Sequence, residues 1–496
     1  MTISTGTIVG ALACQKDSYL KQLITRVVSC TESKPVLVAS TSSSGKKSKK
    51  KSKQQQSSPS EPVKPVYEVE FEDTVLFPEG GGQPSDSGTI TLVNEEGKTV
   101  TDPTTIQVNS IQRVGLRAIH MCPEPLPVGQ KVLLKVDWKK RFDFMQQHTG
   151  QHLLSAILDR FDEFDQELVN PIEIKPRNGS KEKVLPTLGW HMGVDTDINY
   201  IEIPKRLTQP QLDLLSSTIT EFITANLPVS LSTLPPPCES PAKEDTTCNT
   251  VNPVDSKDKL LAKIPENYDQ SQGQIRIIHI GNLDSNACCG THLSSTAQIK
   301  SIILLNQTPG HGTNIKLNFM AGDRVAKFAT SSFDILKNLS SVTSCGQTKE
   351  LPDVVGNMAK ELKKLQSRQT NLLKEVAAYV ATDLKNQIVV EGKKLIWFHR
   401  ADVGLEFLNV VFRELNTQLK EAGKEEEPFT CVLISGEGKE GGAVVIFGEK
   451  TNDVATELKS KLTGLKGGGK GKFQGKVTAF GKGELEAVKK YLEQGI

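Results

Sequence analysis

The stretch His148-Thr149-Gly150-Gln151-His152 places two imidazole side chains four positions apart. On a helix this spacing brings both side chains to one face, close enough to bind the same ion. Apolar residues around the stretch recur at steps of three and four from about residue 138 to about residue 157, which predicts an α-helix. Gly150 weakens such a helix, so we expect another part of the backbone to approach closely at that point.

A second pair of metal-binding side chains follows in Cys288-Cys289-Gly290-Thr291-His292. Cys288 stands four positions before His292, so its thiolate, and not that of Cys289, is the expected ligand. The isoleucine-rich residues 274–280 predict a strand shortly before this pair. The second pair is therefore expected in a loop or at the start of a helix.

Together the two pairs predict one zinc ion per chain, bound by His148, His152, Cys288 and His292. Three imidazoles and one thiolate form a tetrahedral set that suits zinc. Four protein ligands usually close the shell of a structural zinc, whereas a catalytic zinc keeps a position for water. Structural sites, however, favour cysteine over histidine. The residues alone leave a structural and a catalytic role open.

The bulk composition indicates an ordinary soluble chain of several domains. The 496 residues exceed a single hydrophobic core, and 37% are hydrophobic and 24% charged. No apolar run approaches the roughly 18 residues of a membrane span, so no membrane partner is expected. The N-terminus lacks the pattern of a signal peptide, and nine scattered cysteines fit a reducing compartment. We therefore expect a cytoplasmic protein.

The first 330 residues are predicted to form two domains of an α+β fold. Residues 1–130 read as a small, β-rich, barrel-like domain, interrupted by a disordered Lys/Ser insertion at residues 38–62. Residues 131–330 read as an α/β domain that holds the zinc, with a flexible Pro/Ser/Thr-rich insertion at residues 229–256. The net charge of +2 does not by itself indicate a nucleic-acid-binding protein, but lysines cluster near residues 50 and 470.

The remaining chain is predicted to hold a long helix and a C-terminal domain. Residues 350–390 carry a heptad pattern that indicates a coiled coil or a helical hairpin. Packing within the chain and dimerisation both stay open for this pattern. Residues 391–496 return to α/β alternation and end near a glycine- and lysine-rich loop at residues 467–472. The heptad positions are Val355, Met358, Leu362, Leu365, Gln369, Leu372, Val376 and Tyr379.

Five motifs lie at residues 77–84, 136–138, 148–154, 190–193 and 288–292. In this order they resemble the motifs of the AlaX family of alanyl-tRNA editing proteins. The tail is similar to the C-terminal domain that long AlaX forms share with alanyl-tRNA synthetase.

The resemblance implies a zinc-dependent hydrolase that removes serine wrongly attached to tRNA(Ala) and spares alanyl-tRNA. It implies no catalytic residue beyond the zinc ligands, and Thr74 matches a threonine expected to face the seryl hydroxyl. Gln83 is a second candidate for the same substrate pocket. Residues 391–496 would bind tRNA or support a homodimer. Cys289 departs from the family's usual glycine and adds an oxidation-prone thiol.

Two other functions compete with this interpretation. A complete alanine–tRNA ligase needs an ATP-binding catalytic domain before the zinc-binding domain, and only a short β-rich region and a lysine tract precede the histidine pair here. We therefore do not expect ligation. A non-catalytic tRNA-binding protein with a structural zinc remains the alternative.

Overall fold

The computed structural model describes residues 6–33, 65–98, 105–164, 170–175, 183–194, 197–234 and 274–495. The predicted disordered insertion at residues 38–62 lies outside these residues, and so does the predicted insertion at residues 229–256 beyond residue 234. The chain divides into two compact units, Met1–Asp334 and Ile335–Ile496. Each combines helices and sheets, which confirms the α+β class; the finer boundaries at residues 130, 350 and 390 stay predictions. Among the described helices, none is both long and apolar enough to cross a membrane.

The first unit begins with a short helix, α1 (Ala13–Lys16), and an antiparallel sheet of seven strands. The strand order is β4-β3-β7-β1-β2-β6-β5, and one side of the sheet covers a core that includes Val69, Ile90, Val132 and Leu134. The strands are β1 (Gln22–Ser33), β2 (Val66–Phe71), β3 (Gly88–Leu92), β4 (Thr105–Val108), β5 (Ser110–Val114), β6 (Arg117–Cys122) and β7 (Lys131–Val136).

The predicted barrel-like closure of this region is not found among the described strands. The pairing order starts at β4 and ends at β5, and no ladder joins these two edges. The reason is that β4 and β5 follow each other along the chain, separated only by Asn109, so they lie end to end and not side by side. The sheet therefore curves back on itself without closing.

The rest of the first unit surrounds a second core with two more antiparallel sheets. Helices α2 (Trp138–Asp159) and α3 (Gln209–Thr224) contribute Leu153, Leu154, Leu215 and Phe222 to this core. One sheet has the order β13-β14-β9-β8 and the other the order β10-β11-β12. Helix α4 (Asp323–Thr343) follows the last strand, and the division between the two units falls within it. The strands are β8 (Gly189–His191), β9 (Asn199–Ile203), β10 (Val229–Leu234), β11 (Ile275–Ile280), β12 (Asp284–Ala287), β13 (Ile302–Pro309) and β14 (Ile315–Ala321).

The prediction that a flexible insertion starts at residue 229 is wrong for its first six residues. Val229–Leu234 form strand β10, which pairs residue by residue with β11 from Val229 opposite Ile280 to Leu234 opposite Ile275. Serine and threonine in this segment suggested a loop. The backbone hydrogen bonds of an edge strand do not depend on apolar side chains, and β11 supplies a buried, isoleucine-rich partner.

The second unit is a five-stranded sheet with helices packed against it. The order is β15-β16-β17-β19-β18, and only β15 and β16 run parallel. The α/β alternation predicted for residues 391–496 is present. The elements are α5 (Leu351–Val389), β15 (Leu395–Arg400), α6 (Leu405–Glu421), β16 (Thr430–Glu437), β17 (Gly441–Gly448), α7 (Thr451–Lys461), β18 (Leu465–Gly468), β19 (Lys472–Val477) and α8 (Glu484–Glu493).

A buried histidine in the first sheet makes a testable contribution to stability. Burial lowers the pKa of His120 from 6.5 to about 4, and its ring contacts the hydroxyl of Thr74 at 2.9 Å. Because the pKa of His120 is lower in the folded chain than in the unfolded chain, His120 of the unfolded chain binds a proton at a higher pH. The stability from neutral His120 is therefore complete above about pH 6.5 and is lost as the pH falls towards 4, by roughly 3 kcal/mol.

We expect replacement of His120 by glutamine to flatten the acid dependence of stability by about that amount. The measurement is the free energy of urea unfolding of wild type and H120Q between pH 7 and pH 4. Equal slopes in the two proteins would contradict the prediction.

Candidate metal centre

Helix α2 carries the first predicted ligand pair on a buried face. The helix begins at Trp138 as predicted, and the Asp137 side chain caps it by accepting the Lys140 N–H at 3.2 Å. His148 and His152 are both buried. Gly150 has the predicted close neighbour, because a Cβ atom at this position would lie 2.9 Å from the Cβ of Ala321 in β14.

The second pair lies in a loop, as predicted, but a hairpin precedes it. Strand β12 ends at Ala287, and Cys288 follows directly. The loop must pass very close to helix α2: a Cβ atom on Gly290 would lie 2.3 Å from the ring of His148 and 2.8 Å from the amide oxygen of Gln83. Only glycine leaves room for this contact.

The four predicted ligands come together, and their ligand atoms all lie within 4.8 Å of one another. The Cys288 Sγ lies 3.4 Å from the His148 Nε2 and 3.3 Å from the His292 Nε2. Ligand atoms around a tetrahedral ion with bonds of about 2.0–2.3 Å are roughly 3.5 Å apart. His148, His152, Cys288 and His292 can therefore hold one metal ion.

The protonation states of the ligand side chains suit this role in part. Burial, and then the charge of His152, lowers the pKa of His148 well below its usual range. Burial also lowers the pKa of His292 well below its usual range. Both imidazoles are thus neutral, the form that binds metals. Burial raises the pKa of Cys288 to about 12, so this thiol gives up its proton only when a cation arrives.

Gln83 orients the ring of His148 through a hydrogen bond at the His148 Nδ1. Its Oε1 lies 2.9 Å from the His148 Nδ1 and accepts the Thr291 N–H at 3.0 Å. Its Nε2 donates to the Thr291 hydroxyl at 2.9 Å. With the proton on Nδ1, His148 turns its Nε2 towards the other ligands. One amide group therefore ties the glycine-rich loop at residues 80–82 to a ligand of the first pair, His148, and to Thr291, the neighbour of the ligand His292.

Arg276 holds the loop that carries the second pair. This buried guanidinium, in β11, donates to the carbonyl oxygens of Cys288 at 3.1 Å, Gly290 at 2.8 Å and Gln15 at 2.7 Å. Gln15 in turn donates to the Cys289 carbonyl at 2.8 Å. The sequence analysis missed Arg276, whose only signal is a single charge inside an isoleucine-rich strand.

A cavity of about 620 Å³ lies beside the candidate ligands, and three of them, His148, His152 and Cys288, line it. It continues along α2 past Ser155 to Asp159. The eleven residue steps from His148 to Asp159 correspond to about 16 Å of helix. The candidate metal centre therefore faces an elongated space.

A second part of the cavity lining comes from residues 183–190, which contact α2 directly. Trp190 stacks on His148, with ring centroids 4.9 Å apart and an interplanar angle of 29°. The Thr187 hydroxyl lies 2.6 Å from that of Ser155, and Lys183 forms an ion pair with Asp159. The cavity is thus aromatic near the ligands and polar farther along.

The structure brings Gln83 to the candidate ligands but not Thr74. Thr74 is buried in a loop after β2, where its hydroxyl contacts His120 and caps the Leu76 N–H at 3.0 Å, and it is not among the cavity-lining residues. Cys289 is not part of the ligand cluster. Its sulfur lies against the glycine-rich loop, 2.9 Å from where a Cβ atom on Gly81 would be.

Comparison with known proteins gives consistent matches. Residues 275–327 match the family model described as the threonyl and alanyl tRNA synthetase second additional domain. The Saccharomyces cerevisiae chain named as alanyl-tRNA editing protein alaX is 35% identical over 99% of this chain and 98% of its own length. The chain belongs to the alanyl-tRNA editing protein family.

Vertebrate members of the alanyl-tRNA editing protein family match over a similar length. The Mus musculus alanyl-tRNA editing protein Aarsd1 is 30% identical over 94% of each chain. The Pyrococcus furiosus alanine–tRNA ligase is 25% identical over 85% of this chain but only 40% of its own length. The similarity to this ligase therefore leaves most of the ligase unmatched.

Proposed function

We propose that this chain is a zinc-dependent deacylase that removes serine from mischarged tRNA(Ala) and spares alanyl-tRNA. The observation that carries the proposal is the cluster of His148, His152, Cys288 and His292 beside a cavity of about 620 Å³. Membership of the alanyl-tRNA editing protein family supports the same substrate class. A cytoplasmic location, where tRNA is charged, is part of the proposal.

The position of the cavity favours catalysis over a structural zinc. A structural zinc is normally enclosed by its ligands and by the protein around them. Here three ligand residues line a cavity that is large enough for a small molecule. The donor set also suits zinc, since imidazole nitrogen and thiolate sulfur are its preferred ligands. A non-catalytic tRNA-binding protein with a structural zinc would not need a cavity beside the metal ligands.

Residues around the ligands would prepare the site for the ester. A zinc ion held by the four ligands would supply Lewis-acid polarisation and would stabilise developing negative charge. Gln83 fixes the tautomer and orientation of His148, and Arg276 holds the loop that presents Cys288. Trp190 covers one face of His148 and restricts water there. These contacts keep the site in one arrangement before substrate arrives.

The cavity has the length for an aminoacyl group and the terminal nucleoside of a tRNA. The amino acid would lie near His148, and the ribose and base would extend along α2 towards Ser155 and Thr187, which offer hydroxyl groups. A site that hydrogen-bonds a substrate hydroxyl rejects the analogue without it strongly, because buried polar groups are then left unpaired. Serine and alanine differ by such a hydroxyl.

Direct substrate contact by Thr74 and Gln83 stays a prediction that the observed contacts do not favour. The Thr74 hydroxyl already bonds His120 and the Leu76 N–H. Both ends of the Gln83 amide bond His148 and Thr291. We propose that Gln83 acts on the substrate only through His148.

The C-terminal region is proposed to hold the body of the tRNA. Its glycine- and lysine-rich loop at residues 467–472 lies at the tip of the β18–β19 hairpin, and Lys466, Lys470 and Lys476 are exposed along this hairpin. Lys472 has another role, because its ammonium lies 3.6 Å from the centroid of the Phe412 ring and 2.8 Å from the Asn409 Oδ1. The exposed lysines would position phosphates, whereas the cavity would select the amino acid.

The proposed function is tested by release of serine from seryl-tRNA(Ala), with alanyl-tRNA(Ala) as the control substrate. We expect serine release to be at least ~100-fold faster than alanine release, since the discrimination rests on a buried hydroxyl. Chelation should abolish release, and added zinc should restore it. Binding of tRNA without release of either amino acid would support the structural-zinc alternative instead.

Replacement of Gln83 by alanine is expected to weaken zinc binding by ~10–100-fold, the usual effect of losing a partner of a metal-bound histidine. The measurement is competition for zinc with a chromophoric chelator, which does not depend on activity. Gln83→Glu keeps an acceptor for His148 and should recover part of the affinity. Gln130→Ala, in the first sheet, removes bonds to the Val93 and Lys131 carbonyls and serves as a control. Equal affinities of Q83A and Q130A would refute the positioning role.

A further inference from the structure

Gln151 is a buried glutamine whose side chain lines the cavity beside the candidate ligands. It follows His148 by three positions and precedes His152 by one on α2, and it is only 7% exposed. The Gln151 Nε2 donates to the Ser155 Oγ at 2.8 Å. No donor from the described residues reaches the Gln151 Oε1, and this oxygen is accessible. The cavity therefore has an amide oxygen that can accept a hydrogen bond from a bound molecule.

Neighbouring hydroxyl groups set the orientation of this amide. The Ser155 Oγ lies 2.6 Å from the Thr187 Oγ1, and a hydroxyl that donates to one partner can still accept from another. Ser155 can thus donate to Thr187 and accept the Gln151 Nε2 at the same time. A side chain that is already held in place loses little entropy when a ligand binds. The Gln151 Oε1 is therefore a preorganised acceptor.

The position of Gln151 along α2 matches the expected position of a seryl side chain. Its Cα lies about 4.5 Å from that of His148 and about 1.5 Å from that of His152 along the helix axis. In the proposed reaction the ester carbonyl lies beside these ligands, and the seryl hydroxyl is attached to the carbon next to the α-carbon. Ser155 lies about 6 Å farther along the axis, where the ribose is expected. Among the non-ligand polar side chains that α2 contributes to the cavity, Gln151 is the closest to the ligands.

Other polar side chains near the ligands already bond protein groups. Both ends of the Gln83 amide bond His148 and Thr291. Arg276 donates to three backbone carbonyl oxygens, and the Asn286 amide contacts the Asp284 carboxylate. These contacts favour the Gln151 Oε1 as the side-chain oxygen that a substrate bonds beside the ligands.

An acceptor in this position distinguishes serine from alanine. The seryl hydroxyl can donate to the Gln151 Oε1, whereas the alanyl methyl group would cover this oxygen and leave it without a partner. A buried acceptor that loses water and gains no hydrogen bond is costly, so a site built for a hydroxyl rejects the analogue without it. The α-ammonium group cannot provide this selection, because both amino acids carry it.

We infer that Gln151 selects serine over alanine by accepting a hydrogen bond from the seryl hydroxyl. The inference rests on the proposed deacylase function and adds a specificity-determining residue to it. Ser155 is a positioning residue in this arrangement, because it holds the amide of Gln151 in place.

The test compares kcat/KM for release of serine and of alanine from tRNA(Ala) by the full-length, zinc-loaded protein. Gln151→Met keeps the length of the side chain and removes the acceptor. We expect the preference for seryl-tRNA to fall by ~10–100-fold, mainly through slower release of serine. Gln209→Met is the matched control, because Gln209 is exposed on α3 and its Nε2 also donates four positions on, to Asp213 at 2.8 Å. A Q151M protein that keeps the wild-type preference would overturn the inference.

Ser155→Ala separates the acceptor from the group that positions it. This variant keeps the Gln151 amide but lets it rotate, so the preference for serine should fall by less than in Q151M. A larger fall in S155A than in Q151M would assign the hydroxyl contact to Ser155 and overturn the inference.

Binding of non-hydrolysable analogues gives a readout that does not depend on turnover. Calorimetry would compare 3′-serylamido-3′-deoxyadenosine with its alanyl counterpart. Wild type should bind the seryl analogue several-fold more tightly, and Q151M should bind the two about equally while its zinc content and melting temperature match those of wild type. An equal seryl preference in both proteins would overturn the inference alone, whereas a wild type that releases neither amino acid from tRNA would overturn the proposed function and the inference with it.

Discussion

Replacing His152 with alanine is expected to lower kcat/KM for deacylation of seryl-tRNA(Ala) by at least ~1,000-fold. The imidazole is one of four donors whose ligand atoms lie within 4.8 Å of one another, and three donors hold an ion far less tightly. The charge stabilisation that a catalytic metal provides amounts to several kcal/mol, and each 1.36 kcal/mol corresponds to about tenfold in rate. Both the metal content and the rate should fall together.

His191→Ala is the matched control for this experiment. His191 belongs to the same unit, but its exposed ring stacks on Tyr200 with centroids 5.5 Å apart and takes no part in the cluster. H191A should keep its zinc and its rate. His152→Gln conserves most of the volume and guards against a folding defect. Normal deacylation by a zinc-free H152A protein would refute the proposed metal dependence.

The ligand pairs were predictable because their geometry is local. Four-residue spacing on a helix fixes His148 and His152 relative to each other, whatever the remaining fold. The strand predicted before Cys288 limited the second pair to a loop or a helix start, and the structure has a loop there. That the two pairs meet was a chemical inference, since four soft or borderline ligands suit one ion better than two incomplete sites. The structure brings them together as that inference required.

The supporting contacts were not predictable, because they join segments far apart in sequence. Gln83 reaches His148 and Thr291, and Arg276 reaches Gln15. No local period or spacing records such pairs. The resemblance to the AlaX family drew attention to Gln83 but suggested a substrate contact, whereas its hydrogen bonds go to protein groups. Strand β10 was missed for a related reason, since its partner β11 lies more than 40 residues later.

A fully buried ion pair joins the two cores of the first unit. The side chains of Arg141 in α2 and Asp86, after the glycine-rich loop, are both 0% exposed. The Arg141 Nε lies 3.1 and 3.0 Å from the two Asp86 oxygens, and its Nη2 also contacts Asp86. Arg141 further donates to the carbonyl oxygens of Val75 at 2.7 Å and Ser18 at 3.0 Å. This pair fixes the loop that contains Gln83 relative to the helix that contains His148.

Arg141→Met should lower the free energy of unfolding of the first unit by about 3–5 kcal/mol, because it leaves the Asp86 carboxylate buried without its partner. Urea unfolding can be followed by Trp138 and Trp190 in a Trp397→Phe background, which silences the only tryptophan of the second unit.

The double variant Asp86→Leu/Arg141→Met separates charge from packing. It should regain part of the loss, since no buried charge is then left unpaired. Arg26→Met is the exposed control, because Arg26 pairs at the surface with Glu95 at 3.2 Å and should change stability far less. Equal effects of R141M and R26M, or a double variant that is less stable than R141M, would show that the buried pair does not hold the two cores together. The zinc affinity of R141M adds a functional readout: if the ion pair positions the Gln83 loop, its loss should weaken zinc binding even where the protein remains folded.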